Sequence, residues 1–326
     1  MSLRDSYGRA INYLRLSVTD RCNLRCTYCM PADGVRKLEH DDILSYEEIT
    51  RVARAAVNLG VEKIRVTGGE PLVRLGIIGF LAGLKRIPGL KRLVLTTNGV
   101  LLEEMAHELK AAGVESLNIS LDSLRTDRFS TITRGGRLET VLRGIAAAER
   151  AGFSHIKINA VVMRGVNDDE LDDFAALTLL KPIKVRFIEQ MPTFGEDAGA
   201  SLTVPGSELL ARLSRSYHLQ KVEKQALDGP AVYYRINGAA GEIGFITPVS
   251  CHFCGECNRI RMTSTGIIKG CLFDNGVLDM KPLLVGGDDA ALEEALRRVV
   301  QAKPGRHTLM TGRSDHDAFA MAQIGG

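Results

Sequence analysis

The sequence contains no tryptophan, and only 5% of its 326 residues are aromatic. Platforms for stacking nucleic-acid bases are therefore scarce. No single sign of charge dominates, because 42 basic and 39 acidic residues leave a formal net charge of +3. Such a balance does not favour bulk nucleic-acid binding, and an anionic ligand has to be met by local arginine clusters. There is no stretch of ~20 uncharged apolar residues, which argues against a membrane span. The segment Met1-Ser2-Leu3-Arg4-Asp5 lacks the apolar run of a secretory signal. These absences lead to the expectation of a cytoplasmic protein with neither nucleic-acid nor membrane partners. Hydrophobic residues make up 45% of the chain, enough for a large core in one domain or two.

Seven cysteines, an odd number, fall in two groups. That suits a reducing compartment and metal binding better than disulfides. The first group, Cys22, Cys26 and Cys29, is spaced C-x3-C-x2-C and follows residues 13–19, whose alternation reads as a strand. Three thiolates on a loop at a strand's end can hold three irons of a cubane cluster. Four-cysteine ligation is the rule for electron carriers, so a three-cysteine loop points to an iron kept open for a small molecule. A zinc site needs a fourth ligand, and His40 is the only nearby imidazole. The spacing and its placement resemble the radical S-adenosylmethionine (SAM) superfamily, in which the amino and carboxylate groups of methionine chelate the open iron.

Ser45 and Glu48 form a capping-box pattern, and Ile49, Val52, Ala53, Ala56 and Val57 follow at helical spacing up to Gly60. Strand and helix patterns then alternate. Strands are expected at 61–67, 93–97, 116–121, 156–162 and 184–189, and helices at 101–112, 138–151 and 169–180. Counting 13–19, six strands alternate with helices, the signature of parallel βαβ units. After each strand come polar or glycine-rich residues, such as Gly68-Gly69-Glu70, Thr96-Thr97-Asn98 and Ser120-Leu121-Asp122. In parallel barrels the chemistry sits at the C-terminal ends of the strands. The expected fold is α/β: a partial (β/α)6 TIM-like barrel over residues 1–204, with a smaller C-terminal α+β region over 205–326. An open Rossmann sheet is the alternative, but no G-x-G-x-x-G follows the first strand. Residues 193–200 are small and polar and read as a loop.

The C-terminal region carries Cys251, Cys254, Cys257 and Cys271. Spacing allows C-x2-C-x2-C at 251, 254 and 257, C-x2-C-x13-C at 254, 257 and 271, or a four-cysteine zinc site. Arg259 and Arg261 alternate just after Cys257. On a strand they share a face, as an anion clamp would, whereas their plainer reading is two solvated charges.

Residues 14–22, 65–71, 96–99, 118–122, 157–159, 186–189, 254–261, 270–273 and the Ile324-Gly325-Gly326 end complete a pattern. Essentially end to end, this is similar to the GTP 3′,8-cyclase family of molybdenum cofactor biosynthesis. The resemblance implies a lyase with two [4Fe–4S] clusters, one on Cys22, Cys26 and Cys29 and the other on Cys254, Cys257 and Cys271. Cys251 departs from the family pattern. By the same resemblance SAM meets Tyr28, Gly69, Ser120 and Met191, and GTP meets Arg15, Arg65, Thr96, Lys157, Arg259, Ile260 and Arg261. Catalytic roles fall to the first three cysteines, Arg15, Arg259, Arg261, Gly325 and Gly326, with the Gly-Gly end entering the active site.

The implied reaction starts when an electron enters the SAM sulfonium and breaks its bond to C5′. The 5′-deoxyadenosyl radical takes hydrogen from ribose C3′ of GTP, and the C3′ radical adds to guanine C8. One further reduction gives (8S)-3′,8-cyclo-7,8-dihydroguanosine 5′-triphosphate. Implied partners are an electron donor such as flavodoxin or ferredoxin and a downstream cyclic pyranopterin monophosphate synthase, the chain being a monomer or a homodimer. Two rivals remain at this stage. A radical SAM enzyme acting on a peptide would carry peptide-groove features instead of an arginine cluster. A zinc or iron–sulfur carrier would not cleave SAM.

Overall fold

The structure is a computed structural model that describes residues 3–35, 38–191, 202–224, 227–274 and 276–307. Six strands run in the expected order: β1 (Tyr13–Ser17), β2 (Lys63–Thr67), β3 (Arg92–Thr97), β4 (Ser116–Ser120), β5 (Ile156–Val162) and β6 (Lys184–Glu189). They pair as neighbours, all parallel. Between them lie α1 (Tyr46–Asn58), α2 (Ile77–Lys85), α3 (Leu102–Ala111), α4 (Thr126–Thr133), α5 (Leu138–Arg150) and α6 (Leu171–Leu180). Every residue of β1 and β2 is buried. Strands covered on both faces lose the polar–apolar alternation of a half-exposed sheet.

Helix α1 shows how local sequence sets these boundaries. The Glu48 N–H donates to Ser45 Oγ at 3.1 Å and the Ser45 N–H to Glu48 Oε2 at 2.7 Å, which closes the capping box. A cap of this kind stabilises a helix by about 1 kcal/mol. Ile49, Val52, Ala53, Ala56 and Val57 form the buried stripe.

The chain beyond residue 204 adds α7 (Gly206–Ser216), β7 (Leu219–Val222), β8 (Val232–Ile236), β9 (Glu242–Ile246), β10 (Arg259–Met262), β11 (Ile267–Lys269), β12 (Leu278–Asp279), α8 (Lys281–Val285) and α9 (Asp289–Gln301). These strands do not form a sheet of their own. The order among the described residues is β12-β11-β10-β1-β2-β3-β4-β5-β6-β9-β8-β7. Strand β9 runs parallel beside β6 and β10 runs parallel beside β1. The outer strands β7, β8, β11 and β12 are antiparallel. The C-terminal region thus lengthens the open barrel at both edges, and β10 brings the second cysteine segment beside β1. No described helix is long and apolar enough to cross a membrane.

Candidate active site

The C-terminal ends of the six parallel strands face two adjoining cavities. Cys22, Cys26 and Cys29 line the first, together with Tyr28, Gly69, Ser120 and Met191. Cys254, Cys257 and Cys271 line the second, with Arg15, Arg65, Thr96, Arg259 and Arg261. Thr96, Asn159, Ile188 and Met191 belong to both, so these four residues form a shared wall.

The first cysteine loop is tied down from three sides. The Arg25 and Thr27 N–H groups donate to the Thr133 and Ile132 carbonyls at 3.2 and 2.9 Å. The Arg134 guanidinium donates to the carbonyls of Arg25 and Met30. The Gly69 N–H donates to Thr19 O, and the Glu70 N–H to Arg21 O, both at 2.8 Å. A methyl group on Gly69 would lie 2.4 Å from Arg21 O and 2.8 Å from Asp20 O. The family resemblance implies that this glycine meets SAM. In the structure its closest neighbour is the backbone leading into Cys22.

Two buried carboxylates support this cavity. Glu70 accepts from the Leu72 and Asn98 N–H groups and from Thr97 Oγ1. Burial pushes its pKa up to about 7 against these bonds. The Tyr28 hydroxyl donates to Asp122 Oδ2 at 2.8 Å, and the Val161 N–H donates to Oδ1. Burial holds Asp122 up at about 6. Burial also raises the thiols of Cys22 and Cys26.

The second cavity is cationic. Arg261, Arg15 and Arg65 lie in lateral register on β10, β1 and β2, so their side chains share one face. Burial, then neighbouring arginines, lowers the pKa of Arg15, and burial brings Arg261 down to about 10. Across the cavity Arg186 Nε donates to Asn159 Oδ1 at 2.7 Å, and its Nη2 donates to Asn118 Oδ1. Lys63 and Lys157 lie towards the N-terminal ends of their strands, where burial and then nearby arginines lower each to about 7. Burial raises the thiol of Cys271. It acts the same way on Cys257, but Arg259 and Lys303 outweigh it and bring that thiol down to about 6.

The sequence-predicted residues are placed unevenly. The cysteines, the four SAM candidates, Arg15, Arg65, Thr96, Arg259 and Arg261 all line the cavities. Lys157 and Ile260 do not. Ile260 is fully buried beside Leu14, so its side chain packs in the core on the face opposite its two arginine neighbours. Cys251 is exposed and lies off the cavity. Gly325, Gly326 and the loop expected at 193–200 lie outside the described residues. Sequence reading missed Asn159, Arg186, His252 and His307 as lining residues. The register of β5 and β6 was the available signal for the first two, and no local pattern marks the histidines.

The residues present fit iron–sulfur clusters in number, chemistry and placement. All seven cysteines are free thiols. Each cavity is lined by three of them, from loops at strand ends. Among the described residues no three Cys, His, Asp or Glu side chains converge closely enough for a single metal ion. A cubane spreads its ligands over separate irons and has no need of that convergence.

The chain is similar to known proteins along its whole length. Residues 16–178 match the profile of the Radical SAM superfamily, and residues 183–309 match that of Molybdenum Cofactor Synthesis C. A GTP 3′,8-cyclase of Geobacter sulfurreducens is 62% identical over the whole of both chains. One from Moorella thermoacetica is 46% identical over 99% of this chain and 100% of its own. In fold, the structure of Streptococcus suis SuiB bound to S-adenosylmethionine superposes with a TM-score of 0.61, at 16% identity, covering 89% of this chain and 69% of that one. Full-length identity at this level, with the two cysteine sets on adjoining cavities, places the chain in the GTP 3′,8-cyclase family of the radical SAM superfamily.

Proposed function

We infer that this chain is a radical SAM lyase that converts GTP to (8S)-3′,8-cyclo-7,8-dihydroguanosine 5′-triphosphate, the first step of molybdenum cofactor biosynthesis. The observation that carries this reading is the shared wall: a three-cysteine cavity and an arginine-lined three-cysteine cavity meet at Thr96, Asn159, Ile188 and Met191. Its cofactors are two [4Fe–4S] clusters and SAM. Cys22, Cys26 and Cys29 would hold the first cluster, which when bound would supply the electron that cleaves SAM. Cys254, Cys257 and Cys271 would hold the second, which would supply a Lewis-acidic site for the guanine end of GTP. Cys251 is exposed and takes no part.

The chain's own residues do the positioning. Tyr28, held by Asp122, Gly69, Ser120 and Met191 surround SAM. Arg15, Arg65, Arg259 and Arg261 bind the triphosphate through planar donors suited to phosphate oxygens. Thr96 lies where the ligands meet, the Ile260 backbone contributes between the arginines, and Lys157 adds charge from below. Holding ribose C3′ against the SAM C5′ position across the wall converts the transfer into an intramolecular event, which is worth several orders of magnitude in rate. The Gly325–Gly326 end completes the site. A flavodoxin or ferredoxin supplies electrons in the cytoplasm, and cyclic pyranopterin monophosphate synthase consumes the product.

The deciding experiment is anaerobic iron and sulfide analysis combined with SAM cleavage, with and without GTP. About eight irons are expected, and about four after replacing Cys22, Cys26 and Cys29 by alanine, with SAM cleavage abolished. Cys251→Ala should keep both clusters. Stoichiometric zinc in a natively prepared sample, or loss of the second cluster in Cys251→Ala but not in Cys271→Ala, overturns the assignment.

A further inference from the structure

Lys303 is only 3% exposed. Its Nζ donates to Cys257 Sγ at 3.3 Å and to the carbonyl of Gly270, the residue before Cys271. No carboxylate pairs with it among the described residues. A buried ammonium needs compensating negative charge, and here the thiolate of Cys257 is the group in reach. The next two residues are fixed to the third cysteine. Arg9, itself paired with Asp5, donates to Cys254 O at 2.7 Å, to Pro304 O at 2.8 Å and to Gly305 O at 3.3 Å. A methyl group on Gly270 would lie 3.3 Å from Lys303 Cα, so a glycine before Cys271 lets the two backbones approach. The segment 303–305 therefore straps all three cysteines of the second set, and its one cation points at a ligand sulfur. Lys303 does not line the substrate cavity.

We propose that Lys303 is a positioning residue for the second cluster, holding the Cys257 thiolate in place and raising the cluster's reduction potential. The proposal rests on the reading that Cys254, Cys257 and Cys271 carry a cluster. A hydrogen bond to a ligand sulfur and a fixed positive charge both favour the reduced, more negative state of a cluster. Arg259 also approaches Cys257 Sγ, at 3.9 Å, but it faces the substrate cavity, and GTP phosphates would draw on its charge. The charge of Lys303 is not shared in this way, so its influence persists when substrate binds.

The test is an EPR-monitored redox titration of the reconstituted full-length enzyme, compared with Lys303→Met and Lys303→Arg. The second-cluster wave is identified as the one that survives replacing Cys22, Cys26 and Cys29 by alanine. Lys303→Met should move that wave to lower potential and leave the other in place, while Lys303→Arg should keep both where they are. An unchanged second wave in Lys303→Met overturns the proposal, and so does an equal shift in the methionine and arginine variants. If Lys303→Met loads only about four irons, the arginine variant decides. Retention of the cluster at its original potential supports the cationic role, and loss in both variants shows that Lys303 only fills space. Absence of a second wave in the unmodified enzyme would instead show that the cluster reading itself fails.

Discussion

Arg15 and Arg261 stand directly opposite each other on adjacent parallel strands, both more than nine-tenths buried. Arg65 continues the row on the other side of Arg15. Like charges placed opposite one another across strands weaken the pairing, and burial adds to that cost. The fold keeps this unfavourable row at the wall of a cavity.

Replacing Arg259 or Arg261 by alanine should weaken GTP binding by about 1.5–3 kcal/mol, the loss of a charge-assisted hydrogen bond. Iron content and SAM affinity should stay the same. Isothermal titration with GTP checks this, and an unchanged dissociation constant in both variants would return these side chains to a structural role.

GTP affinity should fall as pH rises above about 7. Burial, then nearby arginines, holds Lys63 and Lys157 each near 7. Phosphate oxygens favour their charged forms and raise both values in the complex, so binding takes up protons at and above that pH. Linkage then weakens binding by up to about tenfold per pH unit for each lysine that titrates. Titrations between pH 7 and 9 in buffers of different ionisation enthalpy measure the proton uptake, and Lys157→Gln should reduce it. Equal affinity and no proton uptake across that range would contradict the assignment.

Gly69→Ala should damage the first cluster more than the fold. The added methyl meets backbone atoms of Asp20 and Arg21, which have no side-chain freedom with which to yield. Overpacking of this kind costs about 1–3 kcal/mol, and here it is taken up by the loop that enters Cys22. The expected result is roughly half the normal iron, no SAM cleavage and a retained far-UV circular dichroism spectrum. Full iron with normal SAM cleavage would show that the loop adapts.

The βα order, the capping box at Ser45, both cysteine groups and the strand placing Arg259 and Arg261 on one face were legible because each leaves a local pattern. Helix α2 was not. Its residues Ile77, Phe80, Leu81 and Leu84 are buried within an almost wholly apolar run, which carries little periodicity to read. The docking of β10 on β1 and of β9 on β6 was also invisible, because pairing between distant segments has no signature in either strand. Lys303 lies in a non-periodic stretch and takes its meaning from Cys257, to which only the folded chain brings it.

The pairing of Tyr13 with Arg259 has a consequence for how the enzyme comes into being. On the ribosome, β1 emerges early and finds β2 soon after, but its other edge waits for a partner about 250 positions downstream. At ~5–20 residues per second that is a delay of roughly 12–50 s. During this interval an apolar strand edge is open to foreign chains, and Arg15 lacks its neighbour Arg261. The row Arg261, Arg15 and Arg65 becomes possible only once β10 has been made, so a chain truncated before residue 259 would retain the first cysteine loop and lack that row.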